Sequence, residues 1–340
     1  MLFLNSNQGK SYAEENEETI ERKQKRRRSK KIILVILLLL LIILLSYFMY
    51  YLQKREIPLP TVEFAKTQVI TPPKFVFFFD GSPKNKLSKP IGVRVHPTTN
   101  EIFVADTGNH RVSVFDEKGI YLFSFNKIGA EGTMRTPLYL AFDPKGNIWV
   151  TDRSRESLYV FTKDGSFIKK FIPNDDENYN WQPIALHFDK KGNLYVTDMQ
   201  IDHQLLVFDP KGKLLRKIGT KGEADNMLQL PGQFSFPNGV SVYEANEDIF
   251  VADSNNRRLQ VFDKNGKFKS IIQTGGLPRG MEIGFKDRIH AVDVMAHNVM
   301  VFSTKGVPLV TFGELGIDTA QFFFPTGLDC DGRFVYITDT

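Results

Sequence analysis

The feature that most constrains this chain is a hairpin that it repeats. Glu101 to Gly119 reads EIFVADTGNHRVSVFDEKG: an alternating run up to Asp106, a Thr-Gly-Asn-His corner, a second alternating run, and an Asp-Glu-Lys-Gly turn. Period-two alternation bounded by Gly, Asn and Asp corners specifies a β-hairpin. The unit returns as NIWVTDRSRESLYVFTKDG, NLYVTDMQIDHQLLVFDPKG, DIFVADSNNRRLQVFDKNG and RIHAVDVMAHNVMVFSTKG, and FVYITDT closes the chain as half a copy.

Three markers recur in register. Asp106, Asp152, Asp198, Asp253, Asp293 and Asp339 end equivalent strands, at spacings of 46, 46, 55, 40 and 46 residues. Pro90, Pro137, Pro183, Pro237, Pro278 and Pro325 precede the first strand of each unit, and Gly119, Gly165, Gly212, Gly266 and Gly306 mark the later turn. A period of this size with four short strands per unit predicts an all-β, six-bladed β-propeller over residues 67–340. The chain stops after the second strand of the sixth unit. TQVI and FVFFF (Phe75–Phe79) are therefore expected to supply the other two strands, two from each end. That closure would leave no free edge and make the chain complete.

The N-terminal part is different in kind. Ile32 to Leu52 is a run of 21 residues without a charge, long enough to span a bilayer core of about 30 Å. It exceeds the apolar run of a cleaved signal peptide, and no small-x-small site follows it, so it predicts an uncleaved signal anchor. Eight basic residues lie between Arg22 and Lys31, against Lys54 and Arg55 on the other side. The positive-inside rule then places the tail (1–31) in the cytoplasm and exports the linker (53–66) and the propeller, giving a single-pass plasma-membrane protein.

Composition removes one class of function. Net charge is +5, but residues 1–31 hold +4 of it, leaving the folded part nearly balanced. A nucleic-acid-binding domain normally carries a basic excess, so no nucleic-acid partner is expected. Cys330 is the one cysteine, which rules out an intrachain disulfide and reads as a buried thiol.

The corners ADTGNHRV and ADSNNRRL, the turns FDEKG and FDKNG, and the connectors GQFSFPNGV and AQFFFPTGL resemble NHL repeats. The resemblance covers residues 67–340 and implies the propeller fold. It leaves function open, because propellers of this kind include binding scaffolds, receptor sensor domains, RNA binders and a few lyases. A membrane-anchored copy most resembles the bacterial single-pass NHL proteins.

Chemistry is sought on the face shared by the prolines and the hairpin corners. The corner position after each marker Asp gives His110, Glu156, His203, Arg257 and His297. Three histidines on alternate blades are weak metal candidates, because zinc needs all its ligands at about 2.0–2.3 Å from one point and corners lie far from the axis. The six marker Asp residues are one blade apart, cannot converge on calcium, and read as turn residues. His96, His187 and His290 read as structural. Tyr139 departs from the small residues found two after the other prolines, and with Arg153, Arg155, Asn238, Arg257 and Arg279 it makes a candidate rim for an anionic partner or glycan. The long connector Gly219–Phe236 is a candidate lid. No GxSxG, P-loop, HExxH or paired Cys/His spacing occurs. The expectation is a non-enzymatic scaffold for a protein, peptide or cell-envelope ligand, without a cofactor. The alternative is a metal-dependent lyase or lactonase-like hydrolase holding a calcium or zinc ion in the channel.

Overall fold

A computed structural model describes residues 25–26, 28–47, 70–222, 230–284 and 286–340. The chain divides into two units, Met1–Lys66 and Thr67–Thr340. In the first, Arg28–Tyr47 is one helix, long and apolar enough to cross a membrane. The linker 53–66 and the span's end at Leu52 lie outside the described residues, as do most of the tail and residues 223–229 of the candidate lid.

The second unit is all-β. The first blade comprises Pro90–Val95, Ile102–Asp106, Arg111–Phe115 and Tyr121–Phe125, paired antiparallel in chain order from the axis outward. Four more four-stranded blades follow, with inner strands Pro137–Phe142, Pro183–Phe188, Pro237–Tyr243 and Pro278–Gly284. A sixth inner strand, Pro325–Cys330, pairs only with Val335–Asp339. Each inner strand packs against the next, and the last packs against the first, so the ring is closed at its axis.

The blade count therefore corrects the expectation: five blades are complete and not six. Phe75–Phe79, expected as an outer strand, is irregular backbone. A strand needs a ladder neighbour, and among the described residues no third strand lies beside Val335–Asp339 to provide one. Only Ile70 of TQVI is described, and Pro72 and Pro73 donate no hydrogen bond.

The marker aspartates hold the blades in place. Asp106 is fully buried and accepts from the Ser88 N–H, Asn109 Nδ2, Arg111 Nε at 2.8 Å and Ser113 Oγ. Asp253 repeats the set with Ser235, Asn256, Arg258 and Gln260. Asp152, Asp198, Asp293 and Asp339 likewise accept backbone N–H groups from the connector just ahead of the proline. One carboxylate thus ties the incoming connector to its blade, rather than only bonding its own turn.

Between blades the core is aromatic. Phe125 packs tilted on Phe161 with ring centroids 4.9 Å apart, and Phe171 meets Phe208 edge to face at 5.3 Å. Such pairs add about 0.5–1.5 kcal/mol each beyond their buried area. Both faces of the second strands are covered, so Ile102–Asp106, Ile148–Asp152 and Leu194–Asp198 are buried throughout.

Asp253→Ala would leave the Arg258 guanidinium, itself 0% exposed, without its carboxylate. Breaking a buried pair from one side costs about 3–5 kcal/mol. Urea unfolding of the full-length protein in detergent should show a loss of that size, and a loss below about 1 kcal/mol would contradict the pinning role.

Candidate functional site

Two mouths of the axial channel differ in chemistry. The first carries the prolines and hairpin corners. At each corner the position that gave His110, Glu156, His203, Arg257 and His297 is left-handed, with φ between 44° and 57°. Backbone geometry therefore constrains this position, although a non-glycine side chain there is uncommon.

The three corner histidines each serve a separate inter-blade junction. A ring nitrogen of His110 bonds the Arg135 carbonyl. His203 accepts from the Phe236 N–H and packs on the Phe236 ring at 5.0 Å. His297 packs on Phe324 at 5.2 Å. Each partner lies in the connector entering the next blade. Among the described residues, no group of three or more His, Cys, Asp or Glu side chains is arranged to hold a metal ion.

The rim residues separate into engaged and free. Arg155 donates to the Thr133 and Glu131 carbonyls, and Asn238 to Ser254 Oγ and the Phe236 carbonyl. Arg153 and Arg257 are exposed and Arg279 half-buried. Phe236, Phe323, Phe324 and Met295 are exposed apolar residues of the same connectors and corners. Tyr139 turns inward. With Arg94, Gly239, Gly280 and others it surrounds a void of only about 10 Å³ at the waist, room for at most about one water. Burial pushes its phenol up, against the pull of Arg279 and Arg94. Gly92 lies beside it on the neighbouring inner strand, where an added Cβ would come within 2.5 Å of the Leu138 carbonyl.

The other mouth was not anticipated. A cavity of about 380 Å³ opens there, lined by Arg94, His96, His187, Glu282, Asp329 and Cys330 among others. Four of these share a register, four residues after a marker proline, where the second and fourth blades carry Ala141 and Ser241. Arg94 Nη1 lies 2.6 Å from Glu282 Oε2 and 2.9 Å from Asp329 Oδ1, and its Nε donates to the Leu140 carbonyl. Ser241 Oγ donates to Glu282 Oε1 at 2.8 Å, and the Val95 N–H donates to Asp329 Oδ2 at 2.7 Å. His187 Nδ1 lies 3.9 Å from Glu282.

Burial and charge compete at this layer. Burial raises the Asp329 carboxyl, only partly offset by Arg94. Burial would also raise Glu282, but the Arg94 guanidinium and His187 hold it down. Burial lowers His187 and His96 and takes His290, on the neighbouring strand, down to about 4. The guanidinium stands between the two carboxylates, where a cation bridging them would have to sit. These residues do not fit a calcium or zinc ion, and no chemistry is derived through one.

Inner strands that are otherwise apolar carry Arg, His, Glu and Asp at this one register. That was the available signal. Positions one and two after each proline carry no such charged set.

The molecule is thus an all-β propeller with a charged lower mouth and an arginine- and phenylalanine-bearing upper face. Residues 87–115 and 234–262 match the NHL repeat. A stretch of 120 residues is 31% identical to Protein brain tumor of Drosophila melanogaster, covering 32% of this chain and 11% of that protein. The chain therefore spans about a tenth of that curated relative. Among solved structures, a gluconolactonase from Xanthomonas campestris is similar with a TM-score of 0.58 at 14% identity, over 74% of this chain and 84% of that one. The nidogen/laminin complex is similar with a TM-score of 0.53 at 18% identity, over 66% and 79%. At such identities the likeness shows the fold.

His290 gives the fold a pH dependence of predictable sign. Its folded value, about 4, lies below the unfolded value of 6.5, so the unfolded chain takes up the proton first. Its contribution is whole above pH 6.5 and is lost as pH falls toward 4, by at most about 3 kcal/mol. His290→Leu should flatten that part of the stability profile, and an unchanged slope would assign the loss to another group.

Proposed function

We propose that this protein is a membrane-anchored binding scaffold that presents its propeller outside the cytoplasm to a protein, peptide or cell-envelope partner. One observation carries this reading. The face of connectors and corners exposes arginines, Arg153 and Arg257, and carries exposed aromatic residues, Phe236, Phe323 and Phe324, on other blades. Arg and aromatic side chains are the types enriched where proteins bind one another. Several blades contribute to this face, so a partner would read the ring rather than one loop. The anchoring half of the proposal rests on the apolar helix and on the basic cluster before it, which favours a cytoplasmic N-terminus.

The likeness to a gluconolactonase supports the fold but not its chemistry here. Glu282 and Asp329 are both engaged by Arg94, and the guanidinium that holds Glu282 down makes it a poor base for Ser241, which donates to it.

Photocross-linking in cells tests the surface. A benzophenone amino acid in place of Arg153 or Arg257 should give a discrete adduct, while one in place of Lys145 or Lys190, on the opposite turns, should not. Adducts confined to the opposite turns would move the partner to the other mouth, and adducts at neither set would remove the scaffold reading. Topology has its own test. A phosphatase active only outside the cytoplasm should work when fused after Thr340 and fail before Met1, and the reverse pattern would invert the assignment.

A further inference from the structure

The cavity at the lower mouth has no part in the connector-face reading. It lies where the inner strands turn toward the second strands of their blades, and Thr340 bonds the Phe324 carbonyl on the opposite face. Ligand pockets span about 300–1,000 Å³. At about 380 Å³ this one suits a small ring rather than a long chain. Its walls are mixed, with Phe142 and Phe188 half-buried beside the charged layer.

The hydrogen-bonding capacity left open decides what fits. Every carboxylate oxygen of the layer is already engaged. Glu282 Oε1 accepts from Ser241 Oγ and the Ile283 N–H, and Oε2 faces Arg94. Asp329 Oδ1 accepts from Arg94, and Oδ2 from the Val95 N–H. The open groups are mainly donors. Arg94 donates from Nε and Nη1 and, among the described residues, finds no acceptor for Nη2. Asn100 donates its backbone N–H to the His96 carbonyl, while its side-chain amide has no partner among the described residues. His187 Nδ1, 3.9 Å from Glu282, is too far for a hydrogen bond. Burial favours the neutral imidazole, which offers one donor and one acceptor.

Charge then separates the ligand classes. One guanidinium against two carboxylates leaves a negative excess, which opposes an anion inside poorly polarisable walls. A simple cation carries no lone pair for Arg94 Nη2 or the Asn100 amide, and Arg94 already holds the place between the carboxylates. A hydroxyl both donates and accepts, so a ring bearing several of them meets the free donors and the spare carboxylate lone pairs together. The C–H face of such a ring is weakly positive and suits the negative faces of aromatic side chains. We propose that the lower mouth binds one uncharged sugar ring, its hydroxyls on Arg94, Asn100 and His187 and a C–H face against the Phe142 and Phe188 walls. This mouth lies opposite the connectors, so the two readings stand or fall separately.

Saturation-transfer NMR tests the site, with full-length protein in an amine-oxide detergent, which has no sugar headgroup. The probes are glucose, galactose and mannose, each beside its uronate, and putrescine. At least one neutral sugar should bind saturably, and its uronate at least about tenfold more weakly. Asn100 has a φ of 58°, so Asn100→Gly removes the amide without straining the turn. That change and His187→Leu should each weaken binding about fivefold, the loss of one neutral hydrogen bond. Should His187→Leu fail to fold, Asn100→Gly still decides. Arg153→Glu with Arg257→Glu should leave sugar affinity unchanged, and a loss there would move the sugar to the connector face and refute the site. Binding by none of the three sugars overturns the proposal. So does a uronate or putrescine that binds more tightly than every neutral sugar, or unchanged affinity in Asn100→Gly. The methyl glycoside of the sugar that binds separates its sources. Retained binding points to the terminal residue of a glycan and lost binding to a free sugar, and both agree with the ring site.

Discussion

The fold depends on joining strands that are far apart in the chain. The Val95 N–H donates to Asp329, Arg94 pairs with Asp329 and Glu282, Thr326 Oγ1 donates to the Pro90 carbonyl, and Thr338 Oγ1 to the Ile91 carbonyl. Bringing such distant segments together carries a loop-closure cost that rises only slowly with length. Several bonds sharing one junction can offset it. The same junction concentrates buried charge, and buried charge contributes little net stability by itself. Its value here is geometric, because Arg94 alone reaches the inner strands of the first, second, fifth and sixth positions.

Repetition made most of this legible. The marker Asp, Pro and Gly positions recur because each does the same physical task in each blade: the carboxylate receives the connector, the proline opens the inner strand, and the glycine takes a positive φ against an apolar side chain, Phe or Ile, from earlier in the chain. The Val-Phe pairs late in the third strands are periodic for the same reason. Closure was harder to read, since a half-unit at each end suggests that the halves complete one another. Pairing, however, depends on which strand lies next to which, and among the described residues Phe75–Phe79 pairs with no strand.

The candidate site was less legible, and the residues show why. The corner histidines share a position in the repeat, which suggests a common site, yet rotation from blade to blade sends His110, His203 and His297 to three separate junctions. Arg94, His187, Glu282 and Asp329 share a position too, but on the inner strands, where the same rotation brings side chains together. Distance from the axis decides whether a repeated position converges, and a single copy of the repeat does not reveal it. Tyr139 likewise stood out as a rim residue and instead narrows the waist.

The closing junction also sets how the domain would answer to mechanical load. The chain enters the ring from its N-terminal side, so tension on that segment meets the bonds of Ser88 to Asp106 and Gly108 and then reaches Pro90–Val95, the inner strand of the first blade. The bonds from that strand to Pro325–Cys330 and Val335–Asp339 come next in the line of force. They act as a clasp: under a pull the ring would part between its first and last inner strands, while the five complete sheets kept their own ladders.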